Sequence, residues 1–400
     1  MEQTKKTSEL ADTALKAIND VKNELHEISI KNPELGYQEK FAHKLLTDYL
    51  QGKGFKVTRS AFGLETAFVA EFQSKAGRGR VVSFNSEFDA LPGIGHACGH
   101  NLIAISGVGA AIGLKAVLEK SNIEGTVRLY GTPAEEKAGD GGKIKLVNAG
   151  AYNDVDVSMM VHPTSNAHGA FLPCIAVQEA EIIYHGRASH AAGLNALDAM
   201  VLAYDNIGLL RQQIPPTDRI HGIITDGGQA PNVIPEKTTG TFLVRGKTMK
   251  DLEDLRQRVQ KCFEAAALAT GTTLDIKWKD AAQNVNINER LAERYEYYIT
   301  KQFGIKFPSR AEQNNYFGAS TDEGNVTHLV PGIHPMYDIF PDPPAINHQR
   351  AFADAAKTDK AHEETIKALS GIALVGLDFL VDAGFAQQVK ESFAKSIAES

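Results

Sequence analysis

The chain has 400 residues, 43% of them hydrophobic and 23% charged, with a formal net charge of −7. That length predicts two domains, and an acidic chain without a basic stripe gives nucleic-acid binding no support. Three irregularly spaced cysteines, Cys98, Cys174 and Cys262, argue against a disulfide framework and for a reducing compartment. No run reaches about 18 consecutive apolar residues, so no membrane span is expected. Met1 to Lys16 lacks the apolar core of a signal peptide, and the expected location is cytoplasmic.

Taken in order, Thr13 to Gly52 reads as two helices. Leu15, Ile18, Val21, Leu25 and Ile28 recur at helical spacing, and Asn32-Pro33 separates them from an amphipathic run, Glu39 to Gln51. Strand-like runs follow at Thr66–Phe72, Arg80–Phe84, Thr126–Tyr130 and Val155–Val161. Helical segments lie at Leu102–Glu119 and Gly142–Ala149. This alternation predicts a mixed, largely parallel sheet flanked by helices, with ligands beyond the strand C-termini. From Glu179 the order is strand 179–184, helix 195–213, strands 219–225 and 239–244, helix 249–270 and strand 273–278. That β-α-β-β-α-β order matches a ferredoxin-like α+β unit. The expected division is 1–178 and 288–400 for one domain and 179–287 for an inserted one. Helices at Asn288–Phe303 and Glu363–Val381 close the chain.

The polar clusters fall at predicted strand ends. Ser86-Glu87-Phe88-Asp89-Ala90-Leu91-Pro92-Gly93-Ile94-Gly95-His96-Ala97-Cys98-Gly99-His100-Asn101 packs two histidines, a cysteine and two carboxylates between an apolar strand and an apolar helix. A Cys-x-His pair in a turn reaches one or two adjacent metal ions. The alternative is a buried thiol beside a helix-capping histidine. Glu135-Glu136 follows Thr132-Pro133. In extended chain adjacent glutamates point apart, so one can bind metal while the other serves as general base. His162 ends an apolar run. His348 follows a proline-rich loop, and His334 competes with it by spacing. Asp89 is a candidate for orienting an imidazole. Gly186-Arg187-Ala188-Ser189-His190 and the turn Gly227-Gly228-Gln229-Ala230-Pro231-Asn232 lie in the inserted unit, where plain turn chemistry also explains them.

Together these stretches resemble the co-catalytic metallopeptidase and amidohydrolase family of glutamate carboxypeptidase, aminoacylases and auxin-conjugate hydrolases. The likeness is strongest to the dipeptidase-like branch that includes the mammalian β-alanyl-lysine dipeptidase. Matching segments are Glu87 to Ala104, Gly131 to Glu136, Arg187 to Ala192, Asn195 to Ala199, Pro231 to Pro235 and, more loosely, Ser320 to Val326. The resemblance implies two divalent metal ions, zinc by default with Mn²⁺ or Co²⁺ able to serve. It implies Cys98, His100, Glu136, His162 and His348 as ligands, Glu135 as general base and Asp89 as the orienting carboxylate. It also implies His190 as a lid histidine at the oxyanion, Asn232 as a substrate grip and a homodimer formed through the lid. The expected reaction is hydrolysis of an amide bond in a dipeptide or an N-acyl amino acid. A larger specialised-metabolite amide is the alternative substrate, and a silent binding protein or a thiol enzyme built on Cys98 are the alternative classes. Three positions depart from the family pattern. Asn101 replaces an Asp, Thr321-Asp322 replaces Glu-Asp, and a loop expected after Ala192 is missing.

Overall fold

The computed structural model describes residues 2–29, 31–188, 193–315 and 319–399. Helices α1 (Glu2–Ile28) and α2 (Lys40–Gly52) open the chain. There follow β1 (Lys56–Arg59), β2 (Phe68–Gln73), β3 (Arg80–Glu87), α3 (His100–Lys120), β4 (Gly125–Thr132), α4 (Gly142–Asn148), β5 (Val157–Met159) and β6 (His162–Thr164). The inserted unit holds β7 (Ala176–His185), α5 (Ala196–Arg211), β8 (Arg219–Asp226), β9 (Lys237–Gly246), α6 (Met249–Thr270) and β10 (Thr273–Trp278). The return comprises α7 (Glu289–Phe303), α8 (Arg310–Asn314), α9 (Glu323–Thr327), β11 (Gly332–Ile333), β12 (Met336–Asp338), α10 (Arg350–Ala355), α11 (Asp359–Val381) and α12 (Ala383–Glu399).

Among the described residues the main sheet runs β1-β2-β4-β3-β5-β11. Its centre is parallel, and β1 and β2 are antiparallel at one edge. The central strand β3 is buried along nearly all its length, because helices cover both faces. Val82 and Phe84 are fully buried, and burial of each such side chain stabilises by about 1.5–3 kcal/mol. Helix α3 is apolar on all sides and packs against β3, α1 and α11. It is apolar and long enough to cross a membrane by composition, yet it is almost wholly buried inside the fold, as a core helix is. It can approach β3 because position 107 is glycine, where a Cβ would lie 2.4 Å from Ser86 Oγ.

The inserted unit is a second sheet, β10-β7-β9-β8, antiparallel throughout. Strand β9 alternates strictly, so Phe242 and Val244 face α5 and α6 while Leu243 and Arg245 face the other way. A capping box between Thr248 and Asp251 starts α6, and Gly271 in the left-handed region (φ +71°) ends it.

Two differences from the sequence reading have local causes. The run 155–161 is not one strand. Its strand is Val157–Met159, and after Met160 and Val161 His162 opens β6 beside β12. Neither β1 nor α12 stands out in the sequence. The first is four largely polar residues at a sheet edge, and the second buries only Phe385, Ala386 and Val389.

Candidate metal centre

Ends of β3, β4 and β5 converge, and a separate local device aims each donor. The register pairs Glu87 with Thr132, which sets the loop after β3 beside the loop after β4. Gly99 caps α3 with φ +85°, and a Cβ there would lie 2.4 Å from Pro163 Cγ. Only glycine permits this turn, and the turn lets Cys98 and His100 share one space. His100 Nδ1 lies 2.9 Å from Asp89 Oδ1 and 3.0 Å from Asp89 O. Both partners are acceptors, so Nδ1 carries a proton and Nε2 is the nitrogen that faces inward.

Glu135 and Glu136 are not in extended chain, as the sequence reading had them; they open a 3₁₀ turn, Glu135–Asp140. Before it stands Ala134, in the left-handed region at φ +58°. Buried Glu39 holds that residue, accepting from Ala134 N at 2.9 Å and from Thr66 Oγ1 at 2.8 Å. Asp89 Oδ2 accepts from Glu136 N at 3.0 Å, so one carboxylate orients both His100 and the glutamate turn. The turn separates the two side chains. Glu135 Oε2 lies 3.7 Å from His100 Nε2, whereas Glu136 Oε1 lies 3.5 Å from His348 Nε2. His162 Nδ1 donates to Pro163 O at 2.7 Å, leaving Nε2 3.6 Å from Cys98 Sγ. His348 reaches in from a left-handed residue (φ +69°) whose N–H donates to Ala97 O at 2.8 Å. Asn347 ties these loops together by donating to Cys98 O (3.2 Å) and Pro163 O (3.1 Å).

Burial, then the charges of Glu87 and Glu136, push the Glu135 carboxyl well above the usual carboxylate range. Burial and Glu136 likewise raise the Cys98 thiol, the opposite of the lowered thiol that a nucleophilic cysteine needs. Burial, with help from His100, brings His162 down to about 4, the neutral form a metal ligand needs. Burial opposes charge on His100, but Asp89 and Cys98 outweigh it and raise the imidazole well above its ordinary value.

These residues fit a metal pair. Donor atoms of Cys98, His100 and His162 lie within 4.8 Å of one another, as do those of Cys98, Glu136 and His348, and those of Glu87, His100 and Glu135. His100 Nε2, Glu136 Oε1 and Glu87 Oε2 are buried with no hydrogen-bond partner. Such atoms are costly unless a cation satisfies them. Thiolate, imidazole and carboxylate together suit zinc.

The fold therefore gathers Asp89, Cys98, His100, Glu135, Glu136, His162 and His348. His190 lies outside the described residues. Asn232 sits in an exposed turn lining an open cleft of about 450 Å³ with Asn195 and Leu197, and that cleft includes none of the metal donors. His334 does not compete with His348. It is buried with its ring 5.4 Å from that of His162 and Nδ1 3.9 Å from Cys174 Sγ. Asn101 turns away from the centre and anchors α3, donating to Ala356 O at 2.8 Å. His96 is buried and joins no donor group among the described residues.

Two features escape the sequence reading. Lys143 is fully buried under the centre, 2.6 Å from Glu87 Oε1 and paired with Asp322 on its other side. Its sequence setting, Gly141-Gly142-Lys143, reads only as a helix start. Arg245 has a buried Nε without a partner, and burial alone holds its guanidinium below the usual range. Leu243, two residues before it on the same face of β9, packs against the cluster of Ile144, Val177 and Ala282, and the Arg245 charge opposes charge on His348. Alternation along β9 put Arg245 on the face opposite Phe242, a signal that was available.

Comparison with known proteins agrees with this geometry. The profile of peptidase family M20/M25/M40 matches residues 82–373. The chain is 42% identical over 383 residues to the Xaa-Arg dipeptidase of Mus musculus, covering 92% of this chain and 87% of the relative. It is 34% identical over 297 residues to a polypeptide of the p-aminobenzoyl-glutamate hydrolase of Escherichia coli K12, covering 68% and 60%. Among solved structures, a putative aminohydrolase from methicillin-resistant Staphylococcus aureus shares the fold with a TM-score of 0.72 at 17% identity, covering 92% of this chain and 99% of that one. A dinuclear metal-binding M20 peptidase from Bacillus subtilis does so with a TM-score of 0.66 at 19% identity, covering 92% and 99%. The chain belongs to peptidase family M20/M25/M40, and with it to the metal-dependent hydrolases of amide bonds.

Proposed function

We propose that the chain is a dipeptidase whose substrate presents a free C-terminal carboxylate to Arg245. The observation that carries the reading is Glu135, its side chain 11% exposed and 3.7 Å from His100 Nε2, beside a cluster of buried donor atoms without hydrogen-bond partners. Cys98, His100, Glu136, His162 and His348 hold the metal ions. When bound, those ions activate water and polarise the scissile carbonyl. Glu135 accepts the proton of the attacking water and delivers it to the leaving amine. Asp89 fixes the His100 tautomer and the glutamate turn. His190 is assigned the oxyanion, where one donor contributes about 3–4 kcal/mol, and Asn232 a grip on the substrate after closure. Arg245 supplies the positive charge that a substrate carboxylate needs.

Residues 179–287 form the lid and 1–178 with 288–400 the catalytic domain. The lid has an open edge at β8, with Ile223 63% and Ile224 40% exposed, and α5 beside it exposes Leu209 at 75%. An unpaired apolar edge of this kind suits a second copy of the chain. Free cysteines Cys98, Cys174 and Cys262 fit a cytoplasmic location. An N-acyl amino acid is the second reading, supported by the likeness to a hydrolase of p-aminobenzoyl-glutamate. The test is release of free amine from Xaa-Arg, Xaa-Lys and Xaa-Leu dipeptides, their C-terminal amides and N-acetyl amino acids, with Zn²⁺ or Mn²⁺ restored. Equal rates on dipeptides and their amides would remove the carboxylate grip, and faster N-acetyl substrates would favour the second reading.

A further inference from the structure

Glu87 has no role in the ligand set above, yet its surroundings are those of a donor. It ends β3, fully buried. One oxygen, Oε1, is held by Lys143 Nζ at 2.6 Å. The other, Oε2, has no hydrogen-bond partner and lies 3.4 Å from His100 Nε2. That nitrogen is the bare one, because Asp89 occupies Nδ1 from two acceptor atoms. Nε2 and Oε2 therefore face each other across 3.4 Å in a buried space, and neither has a hydrogen-bond partner. Glu135 completes the group, with the donor atoms of all three residues within 4.8 Å.

The simpler role for Glu87 is counter-ion to Lys143, but that role is already filled. Asp322 pairs with Lys143 Nζ through one oxygen and accepts the Lys143 backbone N–H at 2.8 Å through the other. Glu87 is thus the second carboxylate on one buried cation, with Glu323 also fully buried nearby, where it accepts from Asn85 at 2.8 Å and 3.0 Å. Buried carboxylates that outnumber their cation are unfavourable as anions unless another cation shares the charge.

We propose that Glu87 is a further carboxylate donor to the metal ion held by His100, clamped by Lys143 so that Oε2 stays aimed at that ion. This rests on the metal-dependent reading of the site, and it adds a donor that the five-residue set lacks.

The test compares metal-free and Zn²⁺-loaded wild type with Glu87→Gln and Glu87→Asp, reading Zn²⁺ affinity by chelator competition, bound zinc by elemental analysis, and melting temperature. Gln keeps an oxygen for Lys143 but removes the charge, and Asp keeps the charge but withdraws the carboxylate by one methylene. Both variants should bind one of the two ions at least tenfold more weakly. Metal-free Glu87→Gln should melt at or above metal-free wild type, and its gain on zinc loading should shrink. The proposal is overturned if both variants bind both ions within twofold of wild type. It is equally overturned if metal-free Glu87→Gln unfolds or melts lower while the gain from zinc is unchanged, since Glu87 would then be only the Lys143 counter-ion. A wild type that takes up no zinc would sink the metal-dependent reading, and this one with it. A silent dipeptide panel with these binding results intact would sink only the substrate.

Discussion

The two sheets bury different things. The main sheet carries Glu87, Asp89, His100, Lys143 and Glu323 at 0% exposure where its strands end. The inserted sheet buries a face of Ala180, Ile182, Tyr184, Phe242 and Val244 against Leu255, Val259 and Phe263. The first arrangement is expensive without a cation, and the second stabilises by apolar area alone. The difference separates a half whose stability is coupled to metal from a half whose stability is its own.

The sharpest way to break that comparison is Glu135→Gln. The substitution is isosteric and removes the proton acceptor, so kcat should fall by about 10³-fold, within the usual range for a general base. Zinc content by elemental analysis should stay at the wild-type value. Near-normal turnover would move the base elsewhere, and lost zinc would make Glu135 a ligand first.

Next in size is a pair of perturbations with opposite targets. Chelation should lower the melting of the metal-bearing half, by an amount equivalent to about 4 kcal/mol if zinc was present at a thousand times its Kd. Phe242→Ala should destabilise the inserted sheet by about 3–5 kcal/mol, the usual cost of emptying a packed aromatic site. Calorimetry of each should resolve two transitions that shift independently. A single transition moved equally by both would show that the halves unfold as one.

The same contrast explains what the sequence could tell. The inserted unit was readable almost residue by residue, because α6 and β10 carry their own signals, the Thr248 cap, the Gly271 stop and strict alternation. The donors were readable because Cys98-Gly99-His100 and Glu135-Glu136 are local. What escaped acts across the chain. Glu39 reaches Ala134, Asn347 reaches Cys98 and Pro163, and Lys143 reaches Glu87 and Asp322. No spacing rule connects positions so far apart; only packing brings them together. Asn101 shows the converse, a departure from the family pattern that proves to face Ala356 and not the centre.

Smaller, and aimed at the seam between the halves, is Arg245→Met. Losing a charged hydrogen-bonding partner costs about 1.5–3 kcal/mol, which corresponds to a rise in KM of roughly 10–100-fold. Kinetics on a dipeptide and on its C-terminal amide test the role directly. The amide, lacking the carboxylate, should be nearly indifferent to the substitution. An equal loss on both would make Arg245 a packing residue of the lid.

The smallest effect compares one acidic residue from each half across pH. Glu364 on α11 is 3% exposed and accepts from Lys360 at 2.7 Å and Lys367 at 2.8 Å. Burial alone would raise its carboxyl, but the two lysines outweigh burial and hold it below 4.5. Glu253 on α6 is half-buried, with 46% of its side chain exposed, and Arg256 and Gln257 draw it down to about 2. Both folded values lie below the unfolded one. Each group therefore contributes stability that is complete above about 4.5 and fades as pH falls through its folded value. Glu253→Gln should cost about 0.3–0.5 kcal/mol near neutrality, as exposed helix pairs do. Glu364→Gln should cost more, on the order of 1 kcal/mol, because its partners are charged and it is buried. Melting temperatures between pH 7 and pH 2.5 should show each deficit closing on the acid side, Glu253→Gln only toward the bottom of the range. Equal deficits, or deficits that widen in acid, would mean that burial does not set the difference between the two halves at their helix surfaces.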